Sequence, residues 1–146
     1  MGNLTEWKAE NDKQRQRLAR LAGRLDAPEL ARKLGNGWTV ADALLHLAFW
    51  DWRQREVLLK WQKTGEFVPI PADPETVNAA LLAFSRLVPA GSVTKAVLQA
   101  AEASDTTVAS LPEEFALRVA EKNDRLLRRS MHRAHHLDLI EKALAS

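Results

Sequence analysis

Residues 39–65 read TVADALLHLAFWDWRQREVLLKWQKTG, and this stretch predicts one long amphipathic helix. Thr39 is a suitable N-cap residue, because its side chain can accept a hydrogen bond from the first turn, and Gly65 is a suitable stop. Apolar residues recur between them at helical spacing. We therefore predict a helix from Thr39 to about Lys63 that buries one face.

On a helical wheel of this stretch, the polar side chains cluster on one arc. His46 lies nearly opposite the centre of that arc, beside apolar residues, so we expect its imidazole to point into the protein. Asp51 belongs to the polar arc. We expect it to point away from the interior, which makes it a poor candidate for a metal ligand.

The same periodicity predicts helices on both sides. They cover about residues 4–25, 73–88 with a continuation over 92–110, and 123–145, which makes four principal helices; LPEEF at 111–115 is a turn or short helical segment. No stretch alternates apolar and polar residues as a half-buried strand does. The proline-rich FVPIPADP, residues 67–74, makes a long connection between the second and third principal helices. These features predict a single all-α domain, 1–146, with a four-helix bundle fold.

Composition excludes several classes of function. The formal net charge is only +2, and no basic run is interleaved with aromatic residues, so we expect no nucleic-acid partner. No segment approaches the roughly 18 apolar residues that span a bilayer, so we expect no membrane partner. The chain contains no cysteine, which excludes disulfides, zinc fingers and a cysteine nucleophile. The charged N-terminus does not resemble a signal peptide, and we expect a cytoplasmic protein.

A second and third histidine accompany His46. His132 and His136 form an HxxxH pair in SMHRAHHLDLI, and residues four apart on a helix lie on one face. The wheel places both beside the apolar arc of the last helix and places His135 nearer to solvent. Spacing alone does not exclude His135 in place of His136.

Together these histidines predict a divalent metal site with three imidazole ligands and an open position. Zinc is the expected ion, with nickel or iron as alternatives, since imidazole suits all three. A structural zinc site normally has four protein ligands. Asp42, one turn before His46, is only a marginal fourth ligand. The alternative for each histidine is a hydrogen-bonded core residue.

Basic residues near the histidines predict an anionic small-molecule substrate. Arg125 and Arg129 lie on the His132 face, and Arg53 lies two turns beyond His46; guanidinium groups bind carboxylates in a bidentate manner. The alternative is that these arginines reach solvent at the end of the bundle. Trp50 can line the same pocket or pack in the core.

Asn11 and Gln14 are polar members of an otherwise apolar stripe on the first helix. We interpret them as a polar lining of a central substrate pocket; the alternative is a hydrated stretch of the stripe. Trp52 and Trp61 lie away from the His46 face. Exposed tryptophans often mark an interface, so we expect a homodimer.

Three segments resemble the DinB-like superfamily: GWTVADALLHLAFWDWR (37–53), PETVNAALLAF (74–84) and HRAHHLDLIEKAL (132–144). The resemblance implies an up-down-down-up four-helix bundle with a divalent metal on His46, His132 and His136. Members of that superfamily include transferases and isomerases that use mycothiol, bacillithiol or glutathione. Where several members continue their last motif as His-Arg-Gly-Gln, His136 is followed by Leu-Asp-Leu. This difference favours the branch related to mycothiol-dependent enzymes.

The pattern and the resemblance lead to one functional hypothesis. A metal ion with an open position lowers the pKa of a bound water or thiol, and so activates it at neutral pH. We expect a metal-dependent enzyme that uses a low-molecular-weight thiol or water against a small electrophilic or anionic substrate. The alternative is a protein that binds a metal or a ligand without turnover.

Overall fold

The computed structural model describes residues 4–146, and within that range the regular structure is helical, without a β-strand. The helices are α1 (Leu4–Ala22), α2 (Ala27–Leu30), α3 (Val40–Thr64), α4 (Pro74–Ser85), α5 (Ala90–Ser110), α6 (Glu113–Asn123) and α7 (Ser130–Ala145), with a 3-10 turn at Asp124–Leu126. None of these helices is long and apolar enough to cross a membrane.

The predicted signals at the two ends of α3 are confirmed. Thr39 accepts a hydrogen bond from the Asp42 backbone, and the Asp42 side chain accepts one from the Thr39 backbone, which completes a capping box. Gly65 ends the helix with a φ of 71°, in the left-handed region that glycine adopts without strain. These local signals fix the length of α3 and hence the height at which His46 lies.

The start of the last helix was predicted wrongly. Asn123 resembles a helix N-cap in sequence, but its side chain accepts from the Arg125 backbone and opens only a 3-10 turn. The chain turns there, and α7 begins at Ser130. The LPEEF segment opens α6, which runs for 11 residues and ends where the last helix was expected to begin.

The longest helices, α1, α3, α5 and α7, pack against one another around two apolar clusters. One cluster joins the C-terminal part of α1 to the N-terminal parts of α3 and α5. Its core includes Leu18, Leu44, Val97, Leu137 and Ile140. The other lies towards the opposite ends of these helices and includes Trp7, Leu58, Trp61, Val119 and Leu127.

Trp61 was predicted to be exposed, and this is wrong. Only 4% of the residue is accessible, because Phe67 folds back against its ring and Val68 accepts a hydrogen bond from its indole Nε1 at 2.8 Å. Trp52 is exposed, with the Arg55 guanidinium above its ring. The connection after α3 therefore covers one of the two tryptophans, which a helical wheel of α3 alone could not show.

A layer of buried polar residues separates the two apolar clusters. Each of the four long helices contributes at least one residue at this height: Asn11, Asp51, Ser104, Asp105, Arg129 and Arg133. Burying a charge costs several kcal/mol unless it is paired and hydrogen-bonded. The charged members of this layer are paired with one another, and the layer lies beside the histidines.

Candidate metal centre

The side chains of His46, His132 and His136 converge. Each offers one ring nitrogen, and the three nitrogens lie within 4.8 Å of one another. Ring centroids are 4.6 Å apart for His46 and His136, and 4.9 Å apart for the other two pairs. The three residues are positioned to hold a metal ion.

Two helices bring these rings together. His46 lies in the first third of α3 and is buried, which confirms its predicted inward orientation. His132 and His136 lie one turn apart in the first half of α7 and are half-buried. His135, between them, is exposed and is not part of the converging group. The choice between His135 and His136, open in the sequence, therefore falls on His136.

Burial keeps these imidazoles neutral. Loss of hydration disfavours the charged ring and lowers the pKa of His46 and of His136 to about 4. It lowers the pKa of His132 to about 2, with the nearby Arg129 guanidinium as the next contribution. Neutral imidazole is the form that binds metals, so the site needs no deprotonation at neutral pH.

The hydrogen bonds around His132 indicate how its ring is protonated. A guanidinium only donates, so His132 Nδ1 accepts in the 3.4 Å contact with Arg129 Nη2. The hydrogen of the neutral ring then lies on Nε2, which can donate to His46 Nε2 at 2.9 Å. His46 Nδ1 is buried and has no hydrogen-bond partner among residues 4–146. The trio is thus incompletely satisfied by its own hydrogen bonds.

The nitrogen positions fit a small cation. Zinc–nitrogen bonds of about 2.0–2.1 Å in a tetrahedral site place the nitrogens about 3.4 Å apart. His46 Nε2 and His132 Nε2 are slightly closer than this, at 2.9 Å, and no pair exceeds 4.8 Å. The longest separation between these nitrogens therefore exceeds the expected one by at most about 1.4 Å.

A cavity of about 680 Å³ opens beside two of the three histidines. His46 and His132 line it, together with Trp50 and the exposed His135. Its volume is in the range of pockets that hold small organic ligands. The centre therefore has room for a substrate next to the converging nitrogens.

The cavity wall is strongly cationic. Arg53, Arg125, Arg128 and Arg129 line it, and no Asp or Glu does so among the described residues. The three arginines predicted from the sequence thus lie together at the cavity wall. Two of them, however, do not lie on the predicted helix. Arg125 lies in the 3-10 turn and Arg129 caps α7, so neither lies within the last helix. Arg128, which also lines the cavity, was not identified from the sequence.

Asp51 was predicted to point towards solvent, and this is wrong. It is 1% exposed, and its two carboxylate oxygens accept from Arg129 Nε at 2.8 Å and from Arg133 Nη2 at 3.2 Å. The polar arc of α3 faces the basic residues of α7 at this height. A wheel of α3 alone assigns such a residue to solvent because it contains no information about the partner helix. The predicted consequence, that Asp51 is not a ligand, agrees with its absence from the converging group.

Arg133 was not identified from the sequence, although it is the largest fully buried side chain. It forms a bidentate pair with Asp105, at 2.7 and 2.8 Å, in addition to its contact with Asp51. Burial opposes the charge, but the carboxylates of Asp51 and Asp105 outweigh it and raise the pKa of Arg133. The available signal was two interleaved pairs, each spaced four residues apart, at the start of the last helix: Arg129 with Arg133, and His132 with His136.

The indole of Trp50 lines the cavity and donates from Nε1 to Asn78 Oδ1 at 3.0 Å. Trp38, which was not predicted to line the site, packs against two histidines. Its ring centroid is 5.0 Å from that of His46 and 6.3 Å from that of His136. Asp42, the marginal fourth ligand, uses its carboxylate for Thr39 and Ser85 instead. The histidines therefore have aromatic rather than carboxylate neighbours.

Asn11 and Gln14, predicted to line the substrate pocket, are not among the residues that line this cavity. Asn11 is buried as expected, but its amide holds the chain before α7. Its Nδ2 donates to the Leu127 carbonyl at 2.7 Å, and its Oδ1 accepts from the Ser130 backbone at 2.8 Å. Gln14 is half-buried, and its side-chain oxygen accepts from Arg17 Nη1 at 3.2 Å. Asn11 thus fixes where α7 starts.

We expect Asn11→Ala to destabilise the protein by about 2–4 kcal/mol, because a buried carbonyl and a buried N–H each lose their partner. Gln14→Ala is the matched control, with an expected change below about 1 kcal/mol. Urea denaturation followed by circular dichroism measures both. Equal effects of the two substitutions would contradict the assigned role of Asn11.

Comparison of the chain with models of protein families, with curated proteins and with solved structures gives no significant match in any of the three.

Proposed function

We propose that this protein is a metal-dependent enzyme whose divalent ion is held by His46, His132 and His136. The observation that carries the proposal is the convergence of three neutral ring nitrogens within 4.8 Å, next to a cavity large enough for a substrate. Three protein ligands with an adjacent cavity are typical of catalytic rather than structural zinc sites. Zinc is the expected ion, with nickel or iron as alternatives.

When bound, such an ion supplies a Lewis acid that lowers the pKa of a water or a low-molecular-weight thiol. The side chains of the protein orient and surround the reacting groups. Trp38 and Trp50 limit the access of water to the imidazoles, and the arginines of the cavity wall attract a substrate with negative charge. The substrate in this proposal is a small electrophilic or anionic molecule. The reaction is transfer of a thiol to it, or its hydrolysis.

Arg129 connects the layer of buried polar residues, whose charged members form the charged layer, to the three histidines. Asp51 holds its guanidinium from one side, and the other side approaches His132 Nδ1. If His132 held the ion through Nε2, its ring hydrogen would lie on Nδ1, which could then not accept from Arg129. The ion pair with Asp51 would still compensate the Arg129 charge.

We further propose that the fold is a DinB-like four-helix bundle with up-down-down-up topology. Two contacts support parallel α1 and α7: Asn11 meets Ser130, and Arg17 meets Asp138. Arg15 contacts Asp105, and Leu18 shares an apolar cluster with Val97. Because the residue number rises along α1 while it falls along α5, these two pairs support antiparallel α1 and α5.

Metal binding is tested on protein purified without a polyhistidine tag. After removal of metals with EDTA, addition of zinc at 100 times its Kd should stabilise the fold by about 2.7 kcal/mol and raise the Tm. Calcium, which prefers oxygen ligands, is the control ion and should have no effect. Absence of a shift with zinc, nickel, iron and copper would refute the metal centre.

A second candidate function is binding without turnover. It is supported by the cavity wall, where no carboxylate is available as a general base among the described residues. Incubation of the zinc-loaded protein with glutathione, mycothiol or bacillithiol and an electrophile such as a chlorodinitrobenzene separates the two functions. Product formation supports the enzyme, whereas a thermal shift without product supports binding alone.

A further inference from the structure

The four arginines that line the cavity differ in whether their charge is available to a ligand. Arg129 is 3% exposed, and its guanidinium is bound to Asp51, to the Arg125 carbonyl and to His132. Its charge is compensated within the protein. It cannot turn towards a ligand without leaving Asp51 buried and unpaired, which is costly.

Arg53 and Arg128 are also engaged. Arg53 donates to the Ile70 carbonyl and lies above the Trp50 ring, 5.6 Å from its centroid. Arg128 forms an ion pair with Asp124 at 3.2 Å and lies above the ring of Trp7. Arg53 thus holds two residues of the cavity wall, Trp50 and Ile70, in place.

Arg125 is different. Its backbone is fixed at both polar groups, since the N–H donates to Asn123 Oδ1 and the carbonyl accepts from Arg129 Nη1. Its side chain is exposed and lines the cavity, and it has no hydrogen bond, ion pair or aromatic partner within residues 4–146. A fixed backbone with an uncommitted guanidinium is suited to binding an anion, because little main-chain order is lost.

The rest of the wall indicates the body of the ligand. Ile70, Ala72, Pro74 and Met131 provide apolar surface, and Trp50 adds an aromatic face. A guanidinium binds a carboxylate through paired hydrogen bonds. A single uncommitted guanidinium matches one carboxylate better than a phosphate dianion, whose second charge would have no free partner among these arginines.

We infer that Arg125 is the specificity-determining residue for a small organic carboxylate with an apolar or aromatic body. The carboxylate binds to Arg125 at the cavity wall, and the body extends towards His46 and His132. This inference rests on the proposed metal-dependent function for the role of the ligand as substrate. Recognition of the carboxylate itself depends only on the cavity.

Isothermal titration with phenylacetate, the neutral phenylacetamide and phenyl phosphate tests the inference, on both metal-free and zinc-loaded protein. We expect phenylacetate to bind at least tenfold more tightly than the amide. In Arg125→Gln this preference should disappear, because a charge-assisted hydrogen bond contributes about tenfold or more in Kd. Arg24→Gln is the matched control: it removes the same charge from an exposed position outside the cavity and should leave all three affinities unchanged.

Elemental analysis of each variant separates this inference from the metal centre. We expect Arg125→Gln to bind as much zinc as the wild type, since Arg125 contacts none of the three histidines. Carboxylate preference without any metal binding would refute the proposed function and support the inference. Equal binding of phenylacetate to wild type and Arg125→Gln, or a preference for phenyl phosphate that Arg125→Gln removes, would overturn it.

Discussion

His132→Ala is expected to abolish stoichiometric metal binding. The substitution removes one of three converging nitrogens, and the remaining pair, His46 and His136, lacks the third ligand that a catalytic zinc site normally has. Loss of even an outer-shell partner typically costs 10–100-fold in metal affinity, and loss of a ligand should cost more. At micromolar protein, the zinc content should fall from about one per chain to near zero.

His135→Ala is the matched control for this substitution. His135 has the same side chain on the same helix, but it is exposed and outside the converging group. The control should retain about one zinc per chain. Far-UV circular dichroism should be unchanged in both variants, because neither ring belongs to an apolar cluster. Full zinc content in His132→Ala would contradict the assigned ligands. Loss of zinc in His135→Ala would show that His135, and not His136, is the third ligand.

Asp51→Asn is expected to destabilise the fold by about 3–5 kcal/mol, the usual cost of removing one partner from a buried ion pair. Asp51 is 1% exposed and compensates Arg129 and Arg133, which are themselves almost completely buried. The substitution keeps the shape of the side chain and removes only its charge. Arg133 then keeps its pair with Asp105, but the buried Arg129 guanidinium is left without a carboxylate partner among the described residues.

Asp138→Asn is the matched control. Asp138 pairs with Arg17 at 2.7 Å, but its side chain is 70% exposed, so this surface pair contributes at most about 1 kcal/mol. Chemical denaturation of the metal-free protein measures both effects without a contribution from metal binding. A change below about 1 kcal/mol for Asp51→Asn would show that the charged layer is not a structural requirement.

Local sequence signals were sufficient for the parts of the fold that depend on a few adjacent residues. Thr39 begins α3 through hydrogen bonds with a residue one turn away, and Gly65 ends it through its left-handed backbone conformation. The inward orientation of His46 also followed from α3 alone, because one wide apolar face leaves only one direction for burial. The all-helical character of the chain rests on the same periodicity.

The charged layer could not be predicted in this way, because its pairs join residues far apart in the sequence. Asp51 and Arg129 are separated by 78 positions, and each is polar enough to be assigned to solvent when its own helix is considered alone. The same limitation applies to Trp61, which the connection after α3 covers. Arg125 was selected for its place on an assumed helix, whereas the turn that Asn123 caps brings it to the cavity.

Anomalous diffraction from crystals of the zinc-loaded protein, recorded at the zinc absorption edge, tests the metal centre most directly. We predict one strong peak per chain, about 2.0–2.1 Å from a ring nitrogen of each of His46, His132 and His136, with a coordination position open to the cavity. A map without a peak between these rings, or with a peak bound by other residues, would contradict the central claim.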